Sequence, residues 1–332
     1  MKVIRFAIYG CGNIARVHAA AINEIDGAEL CAVCDLHTDQ ARAFSESYGG
    51  RVVDSYGELV KDEQVDAICI CTPSGTHASL AIEAVAHGKH VVLEKPMAIT
   101  VKECEDIIAA CESNNKKLMV ISQYRTLPGV QKTRELIRSG ALGRLVICNV
   151  HMKYYRDEEY YRGSWRGTKM MDGGGALMNQ GIHGVDVLHY LCGDIKSVQS
   201  NVRTLIHDIE VEDKAVAVLE FENGALGVIE AATSTYPGFN RRIEICGDRG
   251  SVILKEGNIE RLILRDEGVY ERYTIEDHDS ANNATVLDIT GHKNQISDFV
   301  RALNGDCDVE ICDQYEGIKA VKIIERIYKN SK

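Results

Sequence analysis

The sequence predicts an α/β protein in two parts. A doubly wound parallel sheet covers residues 1–124, and an α+β domain with a large open antiparallel sheet covers residues 125–332. Three observations carry this reading. The 332 residues suit about two domains at roughly 100–200 residues each. Up to about residue 124, short continuously apolar segments alternate with helical stretches, the pattern of a parallel sheet covered on both faces. Beyond that point the strands lengthen and alternate apolar with polar residues.

Taken in order, VIRFAIYG reads as a strand and NIARVHAAAINEI as a helix, with Ile14, Val17, Ala21, Ile22 and Ile25 near helical spacing. AELCAVCD is the second strand. TDQARAFSESYG is helical, with Thr38 expected to cap its start. VDAICICTP is a strand, and HASLAIEAVAHG is a helix that Gly88 stops. KHVVLEKP is a strand. The next helix opens with Thr100 and Glu103 at the spacing of a capping box, and KLMVISQYR closes the parallel set. The second part reads as the strands RLVICNVHMKYY, SVQSNVRTLIH, KAVAVLEF, ALGVIEAATS, RRIEICG, SVILKEG and IERLILRD. Asn223-Gly224 and the GDRG segment mark hairpin turns. A helix, NQGIHGVDVLHYLCG, lies between the first two of these strands, and helical runs from His292 to Lys329 end the chain.

The bulk chemistry narrows the function. Hydrophobic residues are 45% and charged residues 26%, enough to bury a full core. No stretch approaches the roughly 18 unbroken apolar residues of a membrane span. The N-terminus runs straight into a strand pattern without a signal-peptide cleavage region, so a cytoplasmic protein without membrane partners is expected. The formal net charge is −11 with no basic stripe, which argues against nucleic acid as partner. An anionic substrate would need a locally positive pocket. Of the 12 cysteines, Cys31, Cys34, Cys69 and Cys71 fall in strand-like apolar runs, and no paired Cys/His clusters appear, so the cysteines read as reduced core residues and no metal is expected.

Gly10-x-Gly12-x-x-Ala15 follows a strand and opens a helix, the context of a dinucleotide-binding Rossmann fingerprint. Gly10 permits the tight turn, Gly12 lets the backbone approach a pyrophosphate, and Ala15 keeps helix and sheet close. The helix start at Asn13 and Ile14 offers free N–H groups to the phosphates. Asp35 ends the second strand. A carboxylate there accepts from ribose hydroxyls and repels a 2′-phosphate, which favours NAD over NADP.

Two strands of the parallel part end in proline, at Pro73 and Pro96, although the chain has only 4 prolines. Ligands of doubly wound sheets bind outside those strand ends. Lys95, beside Pro96, has the chemistry to hydrogen-bond a substrate hydroxyl and stabilise a developing alkoxide; a solvated surface lysine is the plain alternative. Asn179 and His183 are four apart on one helix, so they share a face. Histidine is the natural proton acceptor near neutral pH, although a hydrogen-bonded core histidine is equally ordinary. His183, Asp186 and His189 drift around a helix axis and do not form a ligand set.

GCGNIA, CD, CTPSGTH, HVVLEKPMA and the Asn-x-x-x-His helix together resemble the glucose–fructose oxidoreductase/inositol dehydrogenase/MocA (Gfo/Idh/MocA) family over essentially the whole chain. EEYYRGSWRGTKMMDGGGALMNQGIHGVDVL, IEVED, NGALG and TYP look like its UDP-N-acetylglucosaminuronate 3-dehydrogenases, which serve surface polysaccharide synthesis. The resemblance implies an NAD-dependent oxidoreductase that oxidises a ring hydroxyl, the 3-hydroxyl, of a UDP-linked amino sugar or uronate. The alternatives are the same chemistry on a free sugar, glycoside or inositol, and a non-catalytic NAD-binding regulator, against which the presence of both Lys95 and His183 speaks. It implies that Lys95 orients the hydroxyl and His183 takes its proton. Thr72, Pro73, His77, Glu94 and Gln123 match positions lining the cofactor, as does Trp165. Arg156, Tyr160, Trp165, Arg166 and Asn179 match positions near the substrate, and the two arginines could supply the positive charge. Inositol dehydrogenases carry Asp where this chain has Asn179, which weakens a polyol assignment. The family also implies a homodimer or homotetramer built through the antiparallel sheet.

Overall fold

The computed structural model describes residues 2–265, 270–271 and 288–331. The chain forms two compact units, Met1–Gln123 with Leu287–Ile318, and Tyr124–Val286 with Lys319–Lys332.

The first unit is a six-stranded parallel sheet. Its strands are β1 (Ile4–Tyr9), β2 (Ala28–Cys34), β3 (Arg51–Val52), β4 (Ala67–Ile70), β5 (His90–Leu93) and β6 (Leu118–Val120), in the order β3-β2-β1-β4-β5-β6. Helices α1 (Asn13–Asn23), α2 (Thr38–Tyr48), α3 (Tyr56–Lys61), α4 (His77–Ala86) and α5 (Val101–Asn114) connect them. The strand order reverses between β1 and β4, so the carboxyl ends of the strands open on one crevice there. Every residue of β4 is buried, as the unbroken apolar run requires.

Sequence periodicity missed β3 and α3, which are only 2 and 6 residues long. It also misplaced one cap. Helix α2 begins after His37, no side chain caps it, and Thr38 is already inside. The capping box at Thr100 and Glu103 is present in full.

The second unit opens with α6 (Pro128–Arg138) and holds an eight-stranded sheet. Its strands are β7 (Leu145–Lys153), β8 (Ile195–Arg203), β9 (Lys214–Phe221), β10 (Leu226–Ala232), β11 (Arg242–Gly247), β12 (Gly250–Lys255), β13 (Asn258–Leu264) and β14 (Tyr270–Glu271), ordered β14-β13-β12-β11-β7-β10-β9-β8. Hairpins join β9 to β10 around Asn223-Gly224 and β11 to β12 through Asp248-Arg249. The sheet is not wholly antiparallel, because β10 pairs with β7 in parallel. Chain order does not reveal that pairing: β7 and β10 meet across the long insertion that carries α7 (Glu158–Tyr161) and α8 (Ile182–Cys192).

Helix α9 (Thr290–Leu303) belongs to the first unit rather than the second, and α10 (Gln314–Lys329) spans both segments. Ile296, Phe299 and Val300 of α9 join the core formed by Phe6, Ile8, Ala15 and Ile22. The first unit is therefore completed by chain from near the C-terminus.

Candidate active site

Each parallel strand of the first unit delivers residues to the same edge of the sheet. β1 leads into Gly10, which has φ +90; a Cβ there would lie 2.9 Å from the Cys71 carbonyl oxygen. Gly10 is thus required by backbone conformation and by space. A Cβ on Gly12 would meet nothing within 4 Å, so the turn leaves open room above the helix start. No side chain caps α1 and its first turn carries no acidic residue. Its first N–H groups and the positive end of its dipole suit an anionic diphosphate. Asp35 sits after β2, where its carboxylate accepts from the Cys11 N–H at 2.7 Å and the His37 N–H at 2.9 Å. These bonds orient it beside the glycine turn.

β4 delivers Thr72 and Pro73, and β5 delivers Glu94, Lys95 and Pro96. His77 is buried and links the two proline loops: Nδ1 meets the Pro96 carbonyl at 2.7 Å and Nε2 the Thr72 carbonyl at 3.0 Å. Burial lowers its pKa, against the two carbonyls, which act to raise it. His77 acts here as a strut between loops. Gln123 follows β6 and opens a short 3₁₀ turn.

Glu94 is also buried. Its Oε1 accepts from His18 Nε2 at 2.8 Å, and its Oε2 accepts the Lys95 backbone N–H at 3.2 Å. His292 Nε2 of α9 lies 3.5 Å from the same Oε1. Burial alone would raise the Glu94 pKa, but the two histidines outweigh it and hold the carboxyl well below its usual range. The three ligating atoms lie within 4.8 Å of one another, the composition of a metal site. The His18–Glu94 separation, however, is a hydrogen-bond length. Periodicity places His18 inside one helical run and His292 at the start of another and gives neither a role; only the fold brings them to Glu94.

In the second unit, Asn179 lies in a π-helical turn, Ala176–Gly181, that runs into α8. The expected continuous α-helix from Asn179 therefore begins with a wider turn. Such turns recur at functional sites. Asn179 Nδ2 donates to the buried Asp172. Gln180 Nε2 donates to Asn179 Oδ1 at 2.8 Å and to the Tyr160 hydroxyl at 2.7 Å, and Arg156 donates to Gln180 Oε1 at 2.7 Å. The guanidinium of Arg166 lies 4.7 Å from the Tyr160 ring centre and 5.1 Å from that of Trp165; Arg156 lies 5.5 Å from Tyr160. The structure thus gathers Arg156, Tyr160, Trp165, Arg166 and Asn179 in one network. Gln180, Asp172 and their bonds were not legible from spacing.

Neither Arg156 nor Arg166 has a carboxylate within ion-pair distance among the described residues. His183, the second residue of α8, is half-buried and lies against Tyr124 with ring centres 5.0 Å apart. The buried Arg241 guanidinium covers Tyr124 at 3.8 Å. Asp186 and His189 are engaged elsewhere, by Arg125 and Asp194.

None of the 12 cysteines forms a disulfide, and nine of them are buried. Burial pushes the Cys11 thiol up to about 12 and Cys34 to about 11, so neither is a thiolate at neutral pH. Among the described residues no helix is long and apolar enough to cross a membrane.

Two family descriptions match. "Oxidoreductase family, NAD-binding Rossmann fold" covers residues 4–122, and "GFO/IDH/MocA C-terminal domain" covers residues 130–253. The chain belongs to the Gfo/Idh/MocA family. Among solved Gfo/Idh/MocA structures, the WlbA dehydrogenase from Bordetella pertussis in complex with NADH and UDP-GlcNAcA is 33% identical; the match covers 100% of this chain and 97% of that one, with TM-score 0.88. The myo-inositol 2-dehydrogenase of Thermotoga maritima is 28% identical over 80% of this chain and 79% of its own length. The scyllo-inositol 2-dehydrogenase (NAD(+)) of Bacillus subtilis (strain 168) is 28% identical over 76% and 73%. This Gfo/Idh/MocA protein is an NAD-dependent oxidoreductase of the sugar and polyol class, and its first unit is the NAD-binding domain.

Proposed function

We propose that the protein oxidises the 3-hydroxyl of a UDP-linked N-acetylamino sugar or its uronate to a keto sugar. The observation that carries this reading is the pair Arg156 and Arg166, two cations without carboxylate partners among the described residues of a chain of net charge −11. Uncompensated guanidiniums held against aromatic rings suit a carboxylate or phosphate on the substrate. A free inositol would leave them unanswered.

In this reading Lys95 donates to the substrate hydroxyl oxygen and stabilises negative charge as it develops there. His183 accepts the hydroxyl proton; being half-exposed, it can pass that proton to water. The carbon–hydrogen bond breaks with its electron pair, the carbon–oxygen bond becomes double, and bound NAD supplies the hydride acceptor. Gly10, Gly12, Asn13, Ile14 and Asp35 hold the cofactor's adenosine diphosphate part, while Thr72, Pro73, Glu94 and Gln123 line its nicotinamide end.

The test is NADH formation at 340 nm with UDP-N-acetylglucosaminuronate, UDP-N-acetylglucosamine, free sugars and inositols. Turnover with the UDP-linked sugars is expected; reduction with unlinked substrates alone rejects the reading. Lys95→Met and His183→Asn are each expected to lower kcat by about 10²–10⁴-fold with NADH affinity preserved, as for loss of an acid–base group. Unchanged turnover in both variants rejects the mechanism.

A further inference from the structure

Glu212 and Asp213, the last two residues of the IEVED segment, are adjacent carboxylates that are 7% and 0% exposed. Neither forms an ion pair with a lysine or arginine among the described residues. Buried carboxylates without a cation are costly unless hydrogen bonds fill their lone pairs. Here those bonds hold two different loops.

Glu212 holds the start of the π-helical turn. Its Oε2 accepts from the Gly175 N–H at 2.9 Å and its Oε1 from the Leu177 N–H at 2.8 Å. Its backbone oxygen accepts from the Ala176 N–H at 2.9 Å. Three successive amides therefore end on one residue. Tyr328 donates its hydroxyl to Oε1 at 2.8 Å. A Cβ on Gly175 would collide with the Glu212 backbone oxygen, and one on Gly174 with the Tyr328 hydroxyl, so the glycines are what let the loop close on this anchor.

Asp213 holds the segment 205–207. Its carboxylate accepts from the N–H groups of Leu205 at 3.0 Å, Ile206 at 2.6 Å and His207 at 3.1 Å. His207 Nε2 in turn meets the Arg156 backbone oxygen at 2.8 Å, and its ring packs edge-on against Tyr161. The two arms meet at Arg156. Asp213 reaches its backbone through His207. Glu212 reaches its guanidinium through the π-helical turn and Gln180.

We propose that Glu212 and Asp213 are positioning residues that set where the Arg156 guanidinium stands and so fix the preference for an anionic sugar. This rests on the reading of Arg156 given above. The test compares kcat and KM for UDP-N-acetylglucosaminuronate and for UDP-N-acetylglucosamine, which carries the same nucleotide without the carboxylate, in Glu212→Gln, Asp213→Asn, Arg156→Met and the double variants with Arg156→Met. NADH affinity is followed in parallel by its fluorescence. Either amide replaces one accepting oxygen with an NH2 group, a donor that faces a donor it cannot pair with.

The expected result is a rise in KM for the uronate of about fivefold or more in Asp213→Asn and Glu212→Gln. KM for the neutral sugar should change less than twofold and NADH affinity should stay as in the parent. In the Arg156→Met background the same substitutions should add less than twofold, since coupled residues are not additive. Additive effects, or equal losses on both sugars and on NADH binding, overturn the proposal and leave the Arg156 reading standing. If Arg156→Met itself leaves the preference between the two sugars unchanged, the reading of Arg156 falls and the proposal with it. His207→Phe keeps a ring and the backbone N–H on Asp213, and removes the Nε2 contact to the Arg156 backbone together with the 3.5 Å approach of Nδ1 to Asp213. Should Asp213→Asn not fold, His207→Phe decides: a selective KM rise supports the brace and none overturns it.

Discussion

Arg125 is among the largest fully buried side chains in the molecule. Its guanidinium makes a two-pronged bond to Asp186 of α8, at 2.9 Å and 2.7 Å, and lies 4.7 Å from the Tyr190 ring centre. The geometry is that of a fork on a carboxylate, which returns much of the cost of burying both charges. Removing one partner strands the other in the core. Arg125→Met is therefore expected to cost about 3–5 kcal/mol of stability, read as a lowered denaturation midpoint, whereas pairing it with Asp186→Leu should recover much of that loss. A single variant as stable as the parent would contradict this account. Neither role was visible in the sequence, because a bidentate pair 61 residues apart leaves no periodic trace. The tight turn at Gly10 was legible for the opposite reason. It depends on a local strand–turn–helix, and the φ of +90 at Gly10 is a property of a few neighbouring residues.

At the level of elements, what could be read was whatever short-range chemistry controls. The box formed by Thr100 and Glu103 is one case: the Thr100 hydroxyl accepts from the Glu103 N–H at 3.2 Å, and Glu103 Oε2 accepts from the Thr100 N–H at 3.0 Å. Thr100→Ala should destabilise the protein by about 1 kcal/mol, checked by urea unfolding, and leave turnover unchanged because only the start of α5 loses its cap. A shift in kcat would show that this helix start also shapes the neighbouring Lys95 loop. Thr38 has the same residue type but no such partner three residues on; Ala41 stands there, and the helix begins one residue earlier without a side-chain cap. The π-helical turn before His183 was illegible for a related reason. It is stabilised by Glu212, which lies more than thirty residues downstream, and not by the local sequence. The parallel pairing of β7 with β10 and the return of α9 to the first unit are likewise long-range packing decisions.

For the whole molecule, the second unit's sheet leaves one face to account for. On β7, β10 and β9 the residues pointing to one side, among them Cys148, Val150, Ile229, Ala217 and Leu219, are buried. On the other side Ile147 is 37% exposed, Leu226 51%, Val218 53% and Val216 48%. Leu226 stands directly opposite Ile147, and Val228 opposite Val218, so the apolar residues are contiguous across three central strands. Alternation in the sequence announced a sheet with one solvated face, yet that face carries β-branched residues where water would favour charge. A contiguous exposed apolar patch of this kind marks an interaction surface. We propose that it packs face to face against the same sheet of a second chain, giving a homodimer or a dimer of dimers. Light scattering on the eluting protein should give two or four times the mass of one chain at micromolar concentration. Val216→Lys with Val218→Glu places charges in the middle of the interface and should yield a monomer that still binds NADH, since the cofactor domain lies in the other unit. A parent protein that elutes as a monomer, or a double variant whose mass is unchanged, would remove this face from the assembly.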